Sequence, residues 1–480
     1  MTAALRRSLS SLSIPNYRRW FIGQLISVSG NWMQIVAEMW LILTLTGSAI
    51  AVGITAALQF LPMLLFGAWG GLLVDRFPKR RILMLTQSLL VIPALALFAV
   101  TAADAVTAGM VFALVLVRGL VLAIDWPARQ SFVIELVGPE RVVNAVSLQS
   151  VLVHSSRVFG PALAGLLIAT VGLAFCFLLN ALSFVAMIAM LRSLDGRAIQ
   201  PAQLARPERG GVRAGLRHVL SRPELAIPMA MMALVGTLGL NFQVLLPLLA
   251  DITFHGDSST YSALAVTMGV GSVLGALATG ARGQVNPRVL VLSSLGFAVF
   301  ATLAALAPTL PLAALALAGL GAAAVTFSAS VNSTLQLRAD PSMRGRVMAL
   351  YSIVFLGSTP IGSPIVGWLA EHLGPRAGLV MGALAALVAA AGAYWAFARA
   401  KREAGTAEFA RAFASPPQGA EQRERCAEPR RARARAERRG DTATHRALET
   451  GEHRAITDTK THRTTTRGAR RRRERTGARG

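Results

Sequence analysis

Apolar residues in this chain fall in long blocks separated by short polar interruptions. A helix needs about 20 residues to cross the hydrocarbon of a bilayer. Blocks of that size run roughly over 20–46, 49–74, 82–102, 107–125, 143–170 and 172–191, then over 225–250, 261–281, 288–308, 311–334, 345–370 and 377–398. A polar stretch from Asp195 to Arg222 separates the two sets. The pattern predicts an all-α membrane protein with 12 transmembrane helices in two six-helix halves. The expected organisation is an N-terminal half over 1–194, a central cytoplasmic loop over 195–224, a C-terminal half over 225–400 and a basic, disordered cytoplasmic tail over 401–480. The first block follows Arg6 and Arg7 but carries Gln24, Asn31, Gln34 and Glu38 and no small-residue cleavage site, so it reads as a membrane helix and not as a signal peptide.

Lys and Arg mark every second connection, as they do on the cytoplasmic side of membrane proteins. Arg18 and Arg19 precede the first block; Arg76, Lys79, Arg80 and Arg81 follow the second; Arg129 and Arg141 follow the fourth; Arg282 and Arg288, then Arg338, Arg344 and Arg346, repeat the pattern later. The intervening turns carry Gly47, Asp104, Gly172, Asp251 or Asp257, with Arg376 as the exception. Both termini are therefore expected in the cytoplasm.

Composition narrows the chemistry. The 480 residues are 54% hydrophobic and 15% charged, which argues against a water-soluble fold, and 43 glycines suit helices that approach closely in lipid. Two cysteines, Cys176 and Cys426, offer neither a disulfide framework nor a metal site. No phosphate-binding GxxxxGK[ST], nucleophile elbow or HExxH occurs, so neither an enzyme nor a cofactor nor a metal is expected, and a gradient rather than ATP is the expected energy source.

A shift of 202 residues superposes Pro139 on Pro341, Leu148 on Leu350, Ser150 on Ser352, Gly160 on Gly362, Gly165 on Gly367 and Gly172 on Gly374. A parallel repeat of six-helix halves fits a transporter, where a site between two similar bundles is exposed to either side in turn. The loop after the second block reads Gly71-Leu72-Leu73-Val74-Asp75-Arg76-Phe77-Pro78-Lys79-Arg80, which resembles the cytoplasmic signature of the major facilitator superfamily, with Pro78 in place of its second glycine. The corresponding later loop keeps Gly275 and Arg282 but has Thr279 where the acid would be. Arg157-Val158-Phe159-Gly160-Pro161-Ala162-Leu163-Ala164-Gly165 resembles the superfamily's antiporter signature. Asn31-Trp32-Met33-Gln34, Gln59-Phe60-Leu61-Pro62, Asp125-Trp126-Pro127-Ala128-Arg129 and Asn144 to Ser150 are similar to the bacterial branch that includes the enterobactin exporter, over about residues 15 to 400. The resemblance implies a multi-pass protein of the bacterial inner membrane, a monomer, whose gating loop comprises Gly71, Asp75, Arg76, Lys79, Arg80 and Asp125, and whose antiporter helix turns on Gly160, Pro161 and Gly165.

An ionisable group at membrane depth costs at least about 2.5 kcal/mol, so each is a candidate site. Glu38 shares a helix face with Gln24, Asn31 and Gln34, Arg118 sits deep in the fourth block, and Arg157 lies mid-block with His154 on its stripe. The resemblance places Glu38 and Arg118 on the translocation path. Glu38 is expected to exchange protons, with Arg118 or Arg157 tuning it or holding an anionic part of a small-molecule substrate; a fixed ion pair bracing the first half is the alternative. Asn241, Gln243, Asn332 and Ser358 read as further site residues or as hydrogen bonds between helices. The tail after Lys401, with Arg430, Arg431 and Arg470 to Arg473, reads more simply as a contact with an anionic leaflet than as a nucleic-acid site. A frame-shifted origin for it also stands. A proton-driven exporter is the favoured function, with a nutrient importer and a non-transporting receptor or scaffold as rivals.

Overall fold

The computed structural model describes residues 10–200, 211–282, 287–340 and 343–404, and all regular structure among them is helical. A short 3-10 turn, Ser10–Ser13, leads into α1 (Pro15–Thr46), α2 (Ala49–Arg76), α3 (Lys79–Ala102), α4 (Ala108–Val137), α5 (Val142–Thr170) and α6 (Ala174–Arg192). A short helix, α7 (Gly211–Leu220), precedes α8 (Pro223–Gly239), α9 (Phe242–Leu248), α10 (Ser258–Arg282), α11 (Pro287–Leu306), α12 (Leu310–Arg338), α13 (Arg344–Leu373) and α14 (Pro375–Ala404). The expected tail lies outside the described residues beyond Ala404.

Local chemistry sets the ends. Pro15 opens α1, where its missing N–H costs nothing. Gly47, at φ 63°, closes it, its N–H donating to the Leu43 carbonyl at 2.7 Å. The Ser48 hydroxyl accepts from Ala51 N and the Thr107 hydroxyl from Met110 N, capping α2 and α4. Asp257 caps α10; the Ser259 hydroxyl and the amides of Thr260 and Ser259 donate to it and hold its carboxyl below the ordinary range.

Eleven helical segments among the described residues are long and apolar enough to cross a membrane, with α8, α9 and the following π turn, Leu249–Thr253, forming one of them. The remaining long helix is α1, whose apolarity is lowered by Asn31, Gln34 and Glu38. The expected count of 12 therefore depends on α1, a helix that carries its polar residues inward: Gln24, Gln34 and Glu38 are all fully buried.

Two block readings change. The fourth block was expected to end at 125, but α4 continues to Val137 through Pro127, because Asp125, Arg129 and Glu135 all find partners in neighbouring helices. The seventh was expected to be continuous over 225–250. Instead it breaks between Gly239 and Phe242, where the Asn241 side chain donates to the Thr237 carbonyl and offers the backbone an alternative to the helical ladder.

The packing repeats. In the first six helices α1 lies on α5 and α6, α2 on α4, and α3 on α4 and α6; in the later set α8 lies on α13 and α14, α10 on α12, and α11 on α12 and α14. The two sets meet through α2 against α13 and α5 against α10. One large apolar core, from Met33 to Leu43 in α1 through Tyr261, Phe297 and Phe327 to Phe397, runs through both sets. A second, around Tyr17, Trp20, Leu83, Phe132 and Leu191, is confined to the first six helices at the opposite end of α1.

Candidate functional site

The buried polar residues of α1 organise the interior of the first six helices. Glu38, Gln34 and Arg118 are each at 0% exposure. Arg118 of α4 donates through Nη2 to Glu38 Oε2 at 2.7 Å and through Nη1 to Asn31 Oδ1 at 3.0 Å. Gln34 Nε2 donates to the other carboxylate oxygen, Glu38 Oε1, at 2.7 Å, and Asn180 of α6 donates to Gln34 Oε1. Four of the sequence-derived candidates, Asn31, Gln34, Glu38 and Arg118, thus form one chain of hydrogen bonds. It faces into the bundle of α1, α4 and α6, and Glu38 meets no solvent in this conformation. Both oxygens of the buried carboxyl group are satisfied, which lowers the cost of placing it there.

One end of the same bundle holds a second network. Asp125 Oδ1 accepts from Thr86 Oγ1 at 2.6 Å and from Gln87 Nε2 at 2.8 Å, both on α3. Its other oxygen accepts from Arg129, four residues on in α4, and Arg129 Nη1 donates to Gln24 Oε1 of α1 at 2.7 Å. Asp125, expected in the gate, therefore ties α1, α3 and α4 together. Lys79 is paired with Glu135 at 3.1 Å, and Arg80 donates to the carbonyls of Leu191 and Arg192, capping the end of α6. Of the expected gating residues, these three are engaged inside the first six helices. Asp75 and Arg76 are exposed at the end of α2, and a side chain added at Gly71 would meet nothing within 4 Å. No hydrogen bond or ion pair of Asp75 is found among the described residues.

The antiporter-like stretch lies at the junction of the two sets. A Cβ on Gly160 would strike Trp32 and Ser29 of α1; one on Gly165 would lie 2.5 Å from Ser262 Cβ of α10. The Ser156 and Ser29 hydroxyls bond at 3.2 Å beside Gly160, and Pro161 is buried in an unbroken α5. Arg157 lies on the face between these two contacts with its guanidinium 5.0 Å from the Trp32 ring centroid, and His154 sits one turn earlier.

At the other end of α2, Glu371 near the close of α13 reaches across. Its Oε2 accepts from Ser48 Oγ at 3.1 Å, from Ile50 N at 3.1 Å and from Ala49 N, donors at the start of α2 that have no partner within the helix. A Cβ on Gly367 of α13 would lie 2.7 Å from the Ala49 carbonyl and 3.2 Å from Gly53, so the backbones touch there. Trp40 of α1 stacks on Tyr261 of α10 at 6.2 Å. Ser363 Oγ donates to Asn241 Oδ1 at 3.0 Å, making Asn241 a tie between α13 and the break before α9. Arg376, the exception to the charge pattern, donates to the Ala307 carbonyl beyond α11 at 2.7 Å, which gives that cation a local reason to be there.

Sequence reasoning missed Glu371, Asn180, Arg129 and Glu135. For Arg129 a signal existed, since it stands four residues after Asp125; for Glu371, 323 residues from Ser48, nothing local pointed to the partner.

A model of the transmembrane secretion effector family matches residues 6–425. Among characterised relatives, the chain is 24% identical over 252 residues to a staphyloferrin A transporter of Staphylococcus aureus, a match covering 52% of this chain and 62% of that one. It is 27% identical over 364 residues to the multidrug efflux pump Tap of Mycolicibacterium fortuitum (73% and 88% covered) and 26% identical over 365 residues to the enterobactin exporter EntS of Escherichia coli O1:K1 (76% and 87%). In fold it is similar to the nucleoside transporter NupG (TM-score 0.64, 14% identity, 80% and 99% covered) and to a bacterial homologue of the lysosomal transporter Spinster (TM-score 0.63, 16% identity, 84% and 99% covered). With the helical pairing, the Gly71 to Arg80 loop and the family match in agreement, the chain belongs to the transmembrane secretion effector family of major facilitator transporters.

Proposed function

We propose that this protein exports a small organic molecule from the bacterial cytoplasm across the inner membrane by alternating access, driven by protons moving inward. The single observation that carries the reading is the one-sidedness of contact between the helix sets. Glu371 caps α2, and Gly367, Ser262 and Tyr261 meet the facing helices at one end, while Asp75 at the other end has no partner among the described residues. Taking the Lys/Arg-rich end as cytoplasmic, this conformation is closed outward and open inward, with both termini inside. The halves 1–194 and 225–400 then rock as units joined by the 195–224 loop. In the opposite state Asp75 meets the start of α13, where backbone donors favour a carboxylate.

In this reading Glu38 is the proton carrier. Arg118 keeps it ionised while the pair is sealed; separation of α1 from α4 during rocking removes that partner and raises its proton affinity. The relatives named for siderophore and drug export support the outward direction. The protein acts as a monomer, since the two sets supply the whole path. The test is accumulation in everted membrane vesicles with an imposed proton gradient, using a fluorescent drug-like cation and an organic acid as cargo. Proton-dependent accumulation is expected, and movement only in right-side-out vesicles would make the protein an importer instead.

A further inference from the structure

The charges at membrane depth do not cancel. Glu38 is taken by Arg118 and Asp125 by Arg129. Arg157, at the middle of α5, is left over. Among the described residues no carboxylate lies within ion-pair distance of it, its Nε has no acceptor, and its guanidinium rests on the Trp32 ring. An unmatched cation at this depth is costly, which makes Arg157 a candidate functional group.

Among the described residues neither Nη atom of Arg157 donates a hydrogen bond, while its Nε is buried without an acceptor. A guanidinium lying on an indole uses its flat face, while its N–H groups point outward in the plane. Arg157 and Trp32 are each half-buried, unlike Arg118, which is fully buried and whose two Nη atoms donate to Asn31 and Glu38 while its Nε, like that of Arg157, has no acceptor. His154 Nδ1, one turn away on the same helix, also lacks a partner. The position touches both helix sets: Ser156 and Gly160 contact α1, and a Cβ on Gly269 of α10 would sit 2.9 Å from the Arg157 carbonyl.

We infer that Arg157, seated on Trp32, is the receptor for the anionic group of the transported molecule, a carboxylate or comparably planar oxyanion. This rests on the transport reading above and assigns the substrate to the organic anions. A carboxylate there takes two parallel N–H bonds from the guanidinium and supplies the missing negative charge. At mid-helix depth the partner is a solute and not a lipid headgroup, which lies at the membrane surface.

The test compares binding of 1-naphthoate with that of neutral 1-naphthamide to the full-length protein in nanodiscs. The wild type is expected to bind the anion about tenfold tighter or more, a difference typical of a charge-assisted pair. Arg157→Gln should erase the preference, Arg157→Lys should keep part of it, and Trp32→Leu should weaken both ligands. Because an unpaired charge is removed, Arg157→Gln should melt at or above the wild-type temperature; if it fails to fold, Arg157→Met replaces it. A wild type without anion preference, or a folded charge-free variant that retains it, overturns the inference. The readout is binding, so failure here leaves proton-dependent accumulation in vesicles to be judged separately.

Discussion

Glu38 and Arg118 illustrate how a membrane protein carries charge in its interior without losing the fold. Each would be prohibitive alone, and each is made tolerable by the other together with Gln34, Asn31 and Asn180. Removing one member strands its partner, for which about 3–5 kcal/mol is the usual cost in a buried pair. Arg118→Gln and Glu38→Gln should each lower the thermal unfolding temperature sharply, whereas the double substitution should recover most of the loss. A double variant as unstable as the sum of the singles would show that the pair is not energetically coupled. The same double variant separates bracing from proton coupling: folded and inserted, it should still fail to drive accumulation from a proton gradient. Asp125 behaves differently because Thr86 and Gln87 share it with Arg129. Asp125→Asn keeps hydrogen-bonding capacity but leaves Arg129 with Gln24 and no counter-charge, and should cost about 1.5–3 kcal/mol by denaturant melting in detergent.

At the level of helices, α5 is the element on which most depends, since it packs on α1 along one face and on α10 along another. Its glycines sit where those neighbours come closest. Gly160→Val drives a side chain into Trp32 and Ser29 within the first six helices, and overpacking of this kind costs about 1–3 kcal/mol, read as lost stability. Gly165→Val meets Ser262 on the other side of the junction. Under the alternation proposed above this contact separates in the other state, so the expected effect is on the balance of states: faster maleimide labelling of a Ser262→Cys reporter, with unfolding near wild type. Equal effects of the two valines on stability would contradict this division. The break before α9 belongs to the same scale, as Asn241 binds both its own helix and Ser363 of α13.

Across the whole molecule, α2 and α13 pack together and each carries a carboxylate near its C-terminal end, Asp75 in α2 and Glu371 in α13; Glu371 lies against the start of α2. Among the described residues only Glu371 is engaged, an asymmetry that the alternation proposed above would reverse. Loss of a carboxylate from a helix N-terminus with three donors is worth about 1–2 kcal/mol, or roughly a five- to thirtyfold shift between states. Glu371→Gln should therefore raise the labelling rate of cysteines at the closed end by that factor. A Ser48→Cys, Glu371→Cys disulfide should arrest transport until reduced. Uninterrupted transport with the disulfide formed would mean that this end does not open.

Blocks of hydrophobic residues, the spacing of Lys and Arg, and the Gly71 to Arg80 loop were enough to place nearly every helix, to propose a sidedness and to name the superfamily. These are local properties: water-to-lipid transfer is decided residue by residue, and a membrane span needs no partner to be recognised. The candidate residues were legible for the same reason, as polar exceptions in apolar helices. Their pairing was not. Arg118 and Arg157 are equally conspicuous in sequence, yet one is paired with Glu38, 80 residues away, and the other rests on Trp32 with no counter-ion among the described residues. Glu371 reads as an ordinary helix-end acid until α13 is laid against α2. Which charge meets which is fixed by the register and rotation of packed helices, and those are set by close contacts such as Gly160 on Trp32 and Gly367 on Ala49, which only the tertiary structure supplies.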